Sequence, residues 1–277
     1  MKKATTRQAY AKRIESVIEL IWSDPLKDWG LLELADHACF SPYHFHRIYK
    51  QMCGETVHKT TRRLRMHFAG KLLQRPNTHI HQTAQETSYR STESFSRAFQ
   101  QTYGMSPSQW IHQLKQTEIT NMHSVKIEDM KPQKLFGIDH KGPYMQIGAA
   151  FDKLYAWGFS KQAVLSEKTQ VIGIFYDDPG HVKPEKLRST ACISAPEKMA
   201  SDREDIQLIT LEGGRHATLK FIGPYSQLEQ AYQWLYGSWL PDSGEEPANR
   251  PCFEIYLNSP KDTPPQALET LICMPLK

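Results

Sequence analysis

One short module is written twice between Leu31 and Trp110, and this duplication constrains the first half of the chain more than any other feature. The first copy reads Leu31-Leu-Glu-Leu-Ala-Asp-His-Ala-Cys-Phe40, then Ser41-Pro-Tyr-His-Phe-His-Arg-Ile-Tyr-Lys-Gln-Met-Cys-Gly54. The second reads Thr83-Ala-Gln-Glu-Thr-Ser-Tyr89, then Ser91-Thr-Glu-Ser-Phe-Ser-Arg-Ala-Phe-Gln-Gln-Thr-Tyr-Gly104. Ala35 and Phe40 match Ala84 and Tyr89. Phe45, Arg47, Tyr49 and Gly54 match Phe95, Arg97, Phe99 and Gly104. Each copy predicts a short helix, a tight turn and a second helix closed by Gly, the helix-turn-helix pattern.

In the first copy Ser41 is a good N-cap and Pro42 a good first helical residue. Phe45, Ile48, Tyr49 and Met52 repeat at helical spacing and form the stripe to be buried. The opposite face carries Tyr43, His46, Arg47 and Lys50, where Arg can grip a guanine edge and Lys can reach phosphate. In the second copy Phe95, Ala98, Phe99 and Thr102 point inward. Glu93, Ser96, Arg97 and Gln100 point outward, with Thr92 and Ser94 at the helix start. One cation against one anion makes this the weaker contributor to affinity. Between the copies, Thr56–Leu73 reads as a connecting helix, and about 18 residues of helix span ~27 Å. That suits two recognition helices in major-groove turns about 34 Å apart.

The charge supports a polyanion partner. Residues 1–120 hold 17 Lys+Arg against 10 Asp+Glu, whereas residues 121–277 hold 17 against 20. The surplus lies in the half with the reading helices. The five cysteines include no C-x-x-C pair and predict reduced thiols of a cytoplasmic protein. With no signal-peptide pattern and no 18-residue apolar run, neither export nor a membrane partner is expected.

Arg7–Trp22 predicts a helix that packs the first reading module onto the connector, and Asn121–Ser124 the junction between two domains, 1–120 and 121–277. Beyond the junction a second repeat appears at a constant offset of 81: Gly142-Pro-Tyr144 with Gly223-Pro-Tyr225, Leu154-Tyr155 with Leu235-Tyr236, and Val171–Tyr176 with Cys252–Leu257. Each unit reads strand, strand, Gly-Pro turn, helix, strand. The expected fold is therefore multidomain: an all-α tandem helix-turn-helix domain, then an α+β domain of two pseudo-symmetric strand-helix-strand units forming an antiparallel sheet with helices.

Gly173 of the first unit becomes Glu254 in the second, inside an apolar strand. An acid there is costly to bury without a partner. It reads either as a carboxylate meeting a cationic ligand in an aromatic cavity or as a group satisfied by a neighbour or by solvent. Candidate walls are Tyr144, Tyr225, Trp157, Trp234, Trp239 and Tyr256, since aromatic faces attract cations. Phe151, Leu154, Tyr232 and Leu235 are expected in the core.

Two family resemblances follow. Residues 8–112, with the Phe-x-Arg-x-Tyr/Phe core and the closing Gly104-Met-Ser-Pro-Ser-Gln-Trp110, resemble the DNA-binding domain of AraC/XylS transcription regulators. This implies base reading by Tyr43, His46 and Arg47, and by Thr92, Glu93, Ser94 and Arg97. Ser88 stands where that family usually has Gly, and Gln100 where Lys is common. Residues 123–277, with the two Gly-Pro-Tyr motifs, Trp239-Leu-Pro241, Phe253-Glu-Ile-Tyr-Leu-Asn258 and Ile272-Cys-Met-Pro-Leu276, resemble GyrI-like effector-binding domains. In that family a central glutamate commonly sits in the pocket and binds lipophilic cations, and the resemblance implies this role for Glu254. Together the resemblances imply a regulator whose partners are double-stranded DNA, a lipophilic cationic effector and RNA polymerase.

No catalytic residue, cofactor or metal is expected. His44/His46 and His79/His81 are i, i+2 pairs that point to different sides of a helix. Gly213-Gly214 reads as a turn, and no nucleophile elbow is present. Two rival readings remain: a hydrolase using Glu254 beside Tyr256 as an acid/base pair, and a protein-interaction module without ligand.

Overall fold

Both Gly-closed helices form as their sequences dictate. The computed structural model describes residues 2–116, 124–161, 165–166, 168–196 and 200–277. Its first part holds seven helices: α1 (Lys2–Ser23), α2 (Leu31–His37), α3 (Pro42–Cys53), α4 (Val57–Leu72), α5 (Ile80–Glu86), α6 (Thr92–Tyr103) and α7 (Pro107–Gln116). Ser41 and Ser91 accept backbone N–H bonds as N-caps of α3 and α6, and Gly54 and Gly104 close them at φ 76° and 72°. Such positive φ favours Gly, which lacks the Cβ clash of the left-handed region.

Helix α4 serves two cores. Val57 and Leu64 join Ile14, Ile18, Phe45 and Tyr49 around the first module, whereas Met66, Ala69 and Leu73 join Phe95, Phe99, Tyr103 and Trp110 around the second. The modules are thus set on one continuous rod, stiff over some 16 residues. Two connector arginines fold into ion pairs: Arg63 with the buried Glu55 at 2.6 Å, and the buried Arg65 with Asp28 at 3.0 Å. Tyr49 donates to Thr60 and Thr60 to Glu55, which locks the α3–α4 corner.

The second part is one eight-stranded antiparallel sheet, β1 (Val125–Met130), β2 (Gln133–Lys141), β3 (Val171–Phe175), β4 (Arg188–Ser194), β5 (Gln207–Leu211), β6 (Gly214–Ile222), β7 (Cys252–Tyr256) and β8 (Glu269–Pro275), with α8 (Gly148–Ser160) and α9 (Leu228–Trp234) on one face. Spatial order is β1-β6-β8-β7-β3-β4-β2-β5. Each half therefore holds four strands rather than the three expected. The offset of 81 also relates β4 to β8 and the 3-10 turns Pro184–Lys186 and Pro265–Ala267. The halves meet at the β3–β7 seam, and each lends its first strand to the other: β1 pairs with β6, and β5 with β2. Consecutive strands β1 and β2 do not pair, so the chain crosses over at 131–132 and again at 212–213. The crossings touch. A Cβ at Gly213 would lie 2.7 Å from the Pro132 nitrogen, so the Gly213 turn is needed sterically.

The α1 expectation holds, with Trp22 meeting Phe68 of α4, but it is incomplete. Beyond covering the first module, α1 packs against α8 of the sheet. The Trp22 indole lies where a Gly148 Cβ would be, at 2.5 Å, and donates to Asp152 at 3.0 Å. Arg203 joins Glu15 at 2.5 Å across the same boundary. The expected junction at Asn121–Ser124 lies, apart from Ser124, outside the described residues. Among the described residues no helix is long and apolar enough to cross a membrane.

Candidate functional site

Strand alternation sends Phe253 and Ile255 to one face of β7 and Cys252, Glu254 and Tyr256 to the helix-covered face. Phe253 and Ile255 join the apolar layer behind the sheet and line an open cleft with Met130, Pro132 and Leu211. Glu254, only 3% exposed, lies on the opposite face. Tyr256 donates to Glu254 Oε2 at 2.8 Å and Tyr232, from α9, to Oε1 at 3.1 Å. Burial pushes the Glu254 carboxyl up to about 7, although both hydroxyl bonds pull it down. The same burial, with the carboxylate alongside, pushes the Tyr232 and Tyr256 phenols upward. No Lys, Arg or His among the described residues pairs with Glu254.

Aromatic rings close over this acid. Tyr256 packs edge-on against Phe151 at 5.5 Å and Tyr225 at 5.3 Å, and Tyr225 meets His67 of α4 at 6.2 Å. Gly173, the register partner of Glu254, leaves the space that the Tyr256 hydroxyl uses: a Cβ there would lie 2.9 Å from it. The second half differs from the first at three linked positions, Gly173 to Glu254, Phe151 to Tyr232 and Phe175 to Tyr256. The half that gains the acid gains both hydroxyls that hold it.

Tyr232 packs against the second half's core as expected, but that expectation lacked its hydrogen bond to Glu254. The repeat carried the signal, because Tyr232 adds a hydroxyl where its counterpart is Phe151. Trp157 is corrected in the other direction. It is buried against Phe136 in the first half's core and donates to Asp202 at 3.1 Å, so it has no part in the Glu254 contacts. Tyr144 is committed to the β3–β4 loop, its hydroxyl donating to the Asp177 carbonyl at 2.7 Å and its ring lying on Phe175. Trp234 and Trp239 are half-buried and pack with Tyr225, Tyr232 and Cys252 in the second half's cluster. Just past α9 the helix widens into a π turn, Leu235–Trp239, a geometry frequent at functional sites. The Cys252 thiol accompanies Tyr236 at 3.1 Å, and burial pushes it up to about 11. It stays protonated near neutrality and is no ready nucleophile.

On the helical head, Tyr43, His46, Arg47 and Lys50 all face solvent on α3. Arg47 donates to the Tyr43 hydroxyl at 2.6 Å, and its guanidinium lies 5.5 Å from that ring's centre. Tyr43 thus props the arginine outward. On α6, Glu93 and Arg97 are exposed, with Thr92 and Ser96 half-exposed. The Ser94 hydroxyl is spent on the backbone: it exchanges capping bonds with Ser91. The backbone N–H of Glu93 and the Ser91 hydroxyl hold the Glu93 carboxyl below its usual range, which draws it back to the helix end. At the turns before both helices, Cys39 and Ser88 hold left-handed backbone at φ 52° and 58°. Among the described residues no three His, Cys, Asp or Glu converge as metal ligands.

Comparison with known proteins fits this layout. The family model of the GyrI-like small molecule binding domain matches residues 123–277, and that of a helix-turn-helix domain matches residues 34–113. A DNA gyrase inhibitor of Edwardsiella piscicida is 34% identical over 138 residues, 48% of this chain and 86% of that protein. The probable transcriptional regulator YgiV of Escherichia coli K12 is 30% identical over 109 residues, 39% of this chain and 68% of that protein. Among solved structures, the EcmrR C-terminal domain superposes with a TM-score of 0.47 at 15% identity, covering 57% of this chain and 99% of that one. The chain belongs to the GyrI-like small-molecule-binding family and, with an AraC-type helix-turn-helix domain ahead of that module, is a DNA-binding regulator.

Proposed function

We propose that this regulator reads duplex DNA with the outer faces of α3 and α6 and senses a hydrophobic cation at Glu254. The observation that carries the sensing half is a buried carboxylate held, among the described residues, by neutral hydroxyls alone. A group that loses its hydration without a counter-charge is held at a cost, and a cation entering between the tyrosines removes that cost. Tyr225, Tyr232 and Tyr256 supply aromatic faces that favour such a ligand further. Base reading centres on Arg47, propped by Tyr43, with His46 and Lys50 beside it and Arg97, Thr92, Glu93 and Ser96 on the second module. Regulation follows when the occupied site changes how the head meets DNA or RNA polymerase.

The test uses tetraphenylphosphonium and neutral triphenylphosphine oxide, titrated by calorimetry into the wild type and Glu254→Gln. The cation should lose at least about tenfold in affinity, worth roughly 1.4 kcal/mol, while the neutral compound is unaffected. Equal cation affinity in both proteins would refute the sensing half.

A further inference from the structure

Lys261 lies in the segment that leaves the acid-bearing strand, residues 257–268, and that segment touches both DNA-reading modules. Its Nζ donates to the carbonyl of Cys53, the last residue of α3, at 2.8 Å. The carbonyls at a helix C-terminus lack intrahelical partners and attract a cation. Lys261 is itself steadied 4.4 Å from the centre of the Tyr155 ring and 3.9 Å from Asp152. Four residues on, the turn Pro265–Ala267 packs against α6, the recognition helix of the second module.

The segment is tied together by its own hydrogen bonds. The Asn258 side chain donates to the Ala267 carbonyl and accepts from Glu269 N, tying the two ends together. Ser259 accepts from Lys261, Asp262 and Thr263 in a compact turn, and Pro260, Pro264 and Pro265 restrict φ. The equivalent loop of the first half, 176–187, is largely exposed and held by its own Asp177–Arg188 pair. Meanwhile Tyr43, His46, Arg47 and Arg97 face solvent. The sheet domain does not mask the reading faces; it grips the helices behind them.

We propose that Lys261 and the Pro265–Ala267 turn are a relay that sets the relative placement of α3 and α6 according to what occupies the Glu254 site. The inference rests on the sensing reading above. A ligand entering between the tyrosines meets the Tyr256 hydroxyl that caps Glu254 Oε2, and Tyr256 is the last residue of β7 before the segment begins. Lys261 is thus a positioning residue, acting on DNA through α3 without touching it.

The experiment compares the wild type, Lys261→Met and Lys261→Arg, each checked by circular dichroism. Tetraphenylphosphonium affinity is measured by calorimetry, and the affinity for a duplex selected from a random pool with and without that cation. In the wild type the cation should change DNA affinity roughly fivefold or more. Lys261→Met should bind the cation as the wild type does yet lose this change, and Lys261→Arg, which keeps a donor, should retain it. A full response in Lys261→Met overturns the relay while leaving the sensor standing. A wild type that binds no tetraphenylphosphonium, or Glu254→Gln binding it equally, overturns the sensing reading and the relay with it.

Discussion

Replacing Glu254 by Gln should stabilise the protein, but only where the carboxyl would be ionised. Burial moves that carboxyl from its ordinary value of 4.5 to about 7. At about 1.4 kcal/mol per pH unit, the ionised form costs the folded state about 3 kcal/mol. The sign follows from which state holds the proton. Below pH 4.5 both the folded and unfolded chains are protonated, and the residue contributes no penalty. Between 4.5 and about 7 the unfolded chain has released its proton while the folded one keeps it, so stability falls as pH rises. Above 7 the penalty is complete. Gln keeps a carbonyl for one tyrosine and offers an amide to the other's oxygen. The gain of Glu254→Gln over wild type should therefore be small at pH 5 and approach about 3 kcal/mol at pH 8.5. Urea unfolding followed by Trp fluorescence at the two pH values measures it, and taking the difference cancels every other titrating group. A gain that stays constant across this range would refute the reasoning. The same proton competes with a cation, so tetraphenylphosphonium affinity should fall by about tenfold per pH unit below pH 7.

Three further outcomes follow from contacts elsewhere. Arg47→Ala should weaken specific DNA binding by about 1–3 kcal/mol and relax preference at one base pair, as read by competition binding; unchanged affinity would remove α3's outer face as the reader. Ser88→Gly relieves a left-handed residue that costs about 1–2 kcal/mol, less Gly's extra unfolded-state freedom. The melting temperature should rise by about 1–3 °C in calorimetry, and a fall would mean the Ser88 side chain holds the turn. Gly70→Ala places a Cβ against the buried Tyr103 hydroxyl, 2.9 Å from the ring carbon that bears it, and should cost about 1–3 kcal/mol by overpacking. Urea unfolding checks this; no loss would show that Tyr103 moves freely.

Much of this arrangement was legible in the residues because the chain states it twice. Matched caps, stripes and closing glycines gave both reading modules, and the constant offset gave a duplicated sheet. Glu254 stood out because its counterpart is Gly173. The strands β4 and β8 escaped notice because β4 buries small polar residues instead of alternating. Thr190 and Ser189 are satisfied there by tertiary partners, Asp139 and Tyr176 for Thr190 and His140 for Ser189. Tyr232 was hidden for a related reason, since its hydroxyl matters only once α9 lies over β7. Arg65 reads as one more connector cation in sequence, yet it is buried beneath Tyr89 and paired with Asp28. The docking of α1 on α8 depends on a glycine and a tryptophan far apart in the chain, and no local pattern encodes that.

The pairing of Gly173 with Glu254 across the seam also fixes a stoichiometry. A duplicated cradle invites the expectation of two equivalent ligands, one for each half. Yet register partners across an antiparallel seam lie only about 5 Å apart, so a second acid at position 173 would face the first, and two buried carboxylates that close share one proton. The Gly at position 173 is therefore what lets the Glu254 carboxyl ionise without a like charge opposite it. One half carries the charge and the other yields the room, so the proposed site would take one cation per chain.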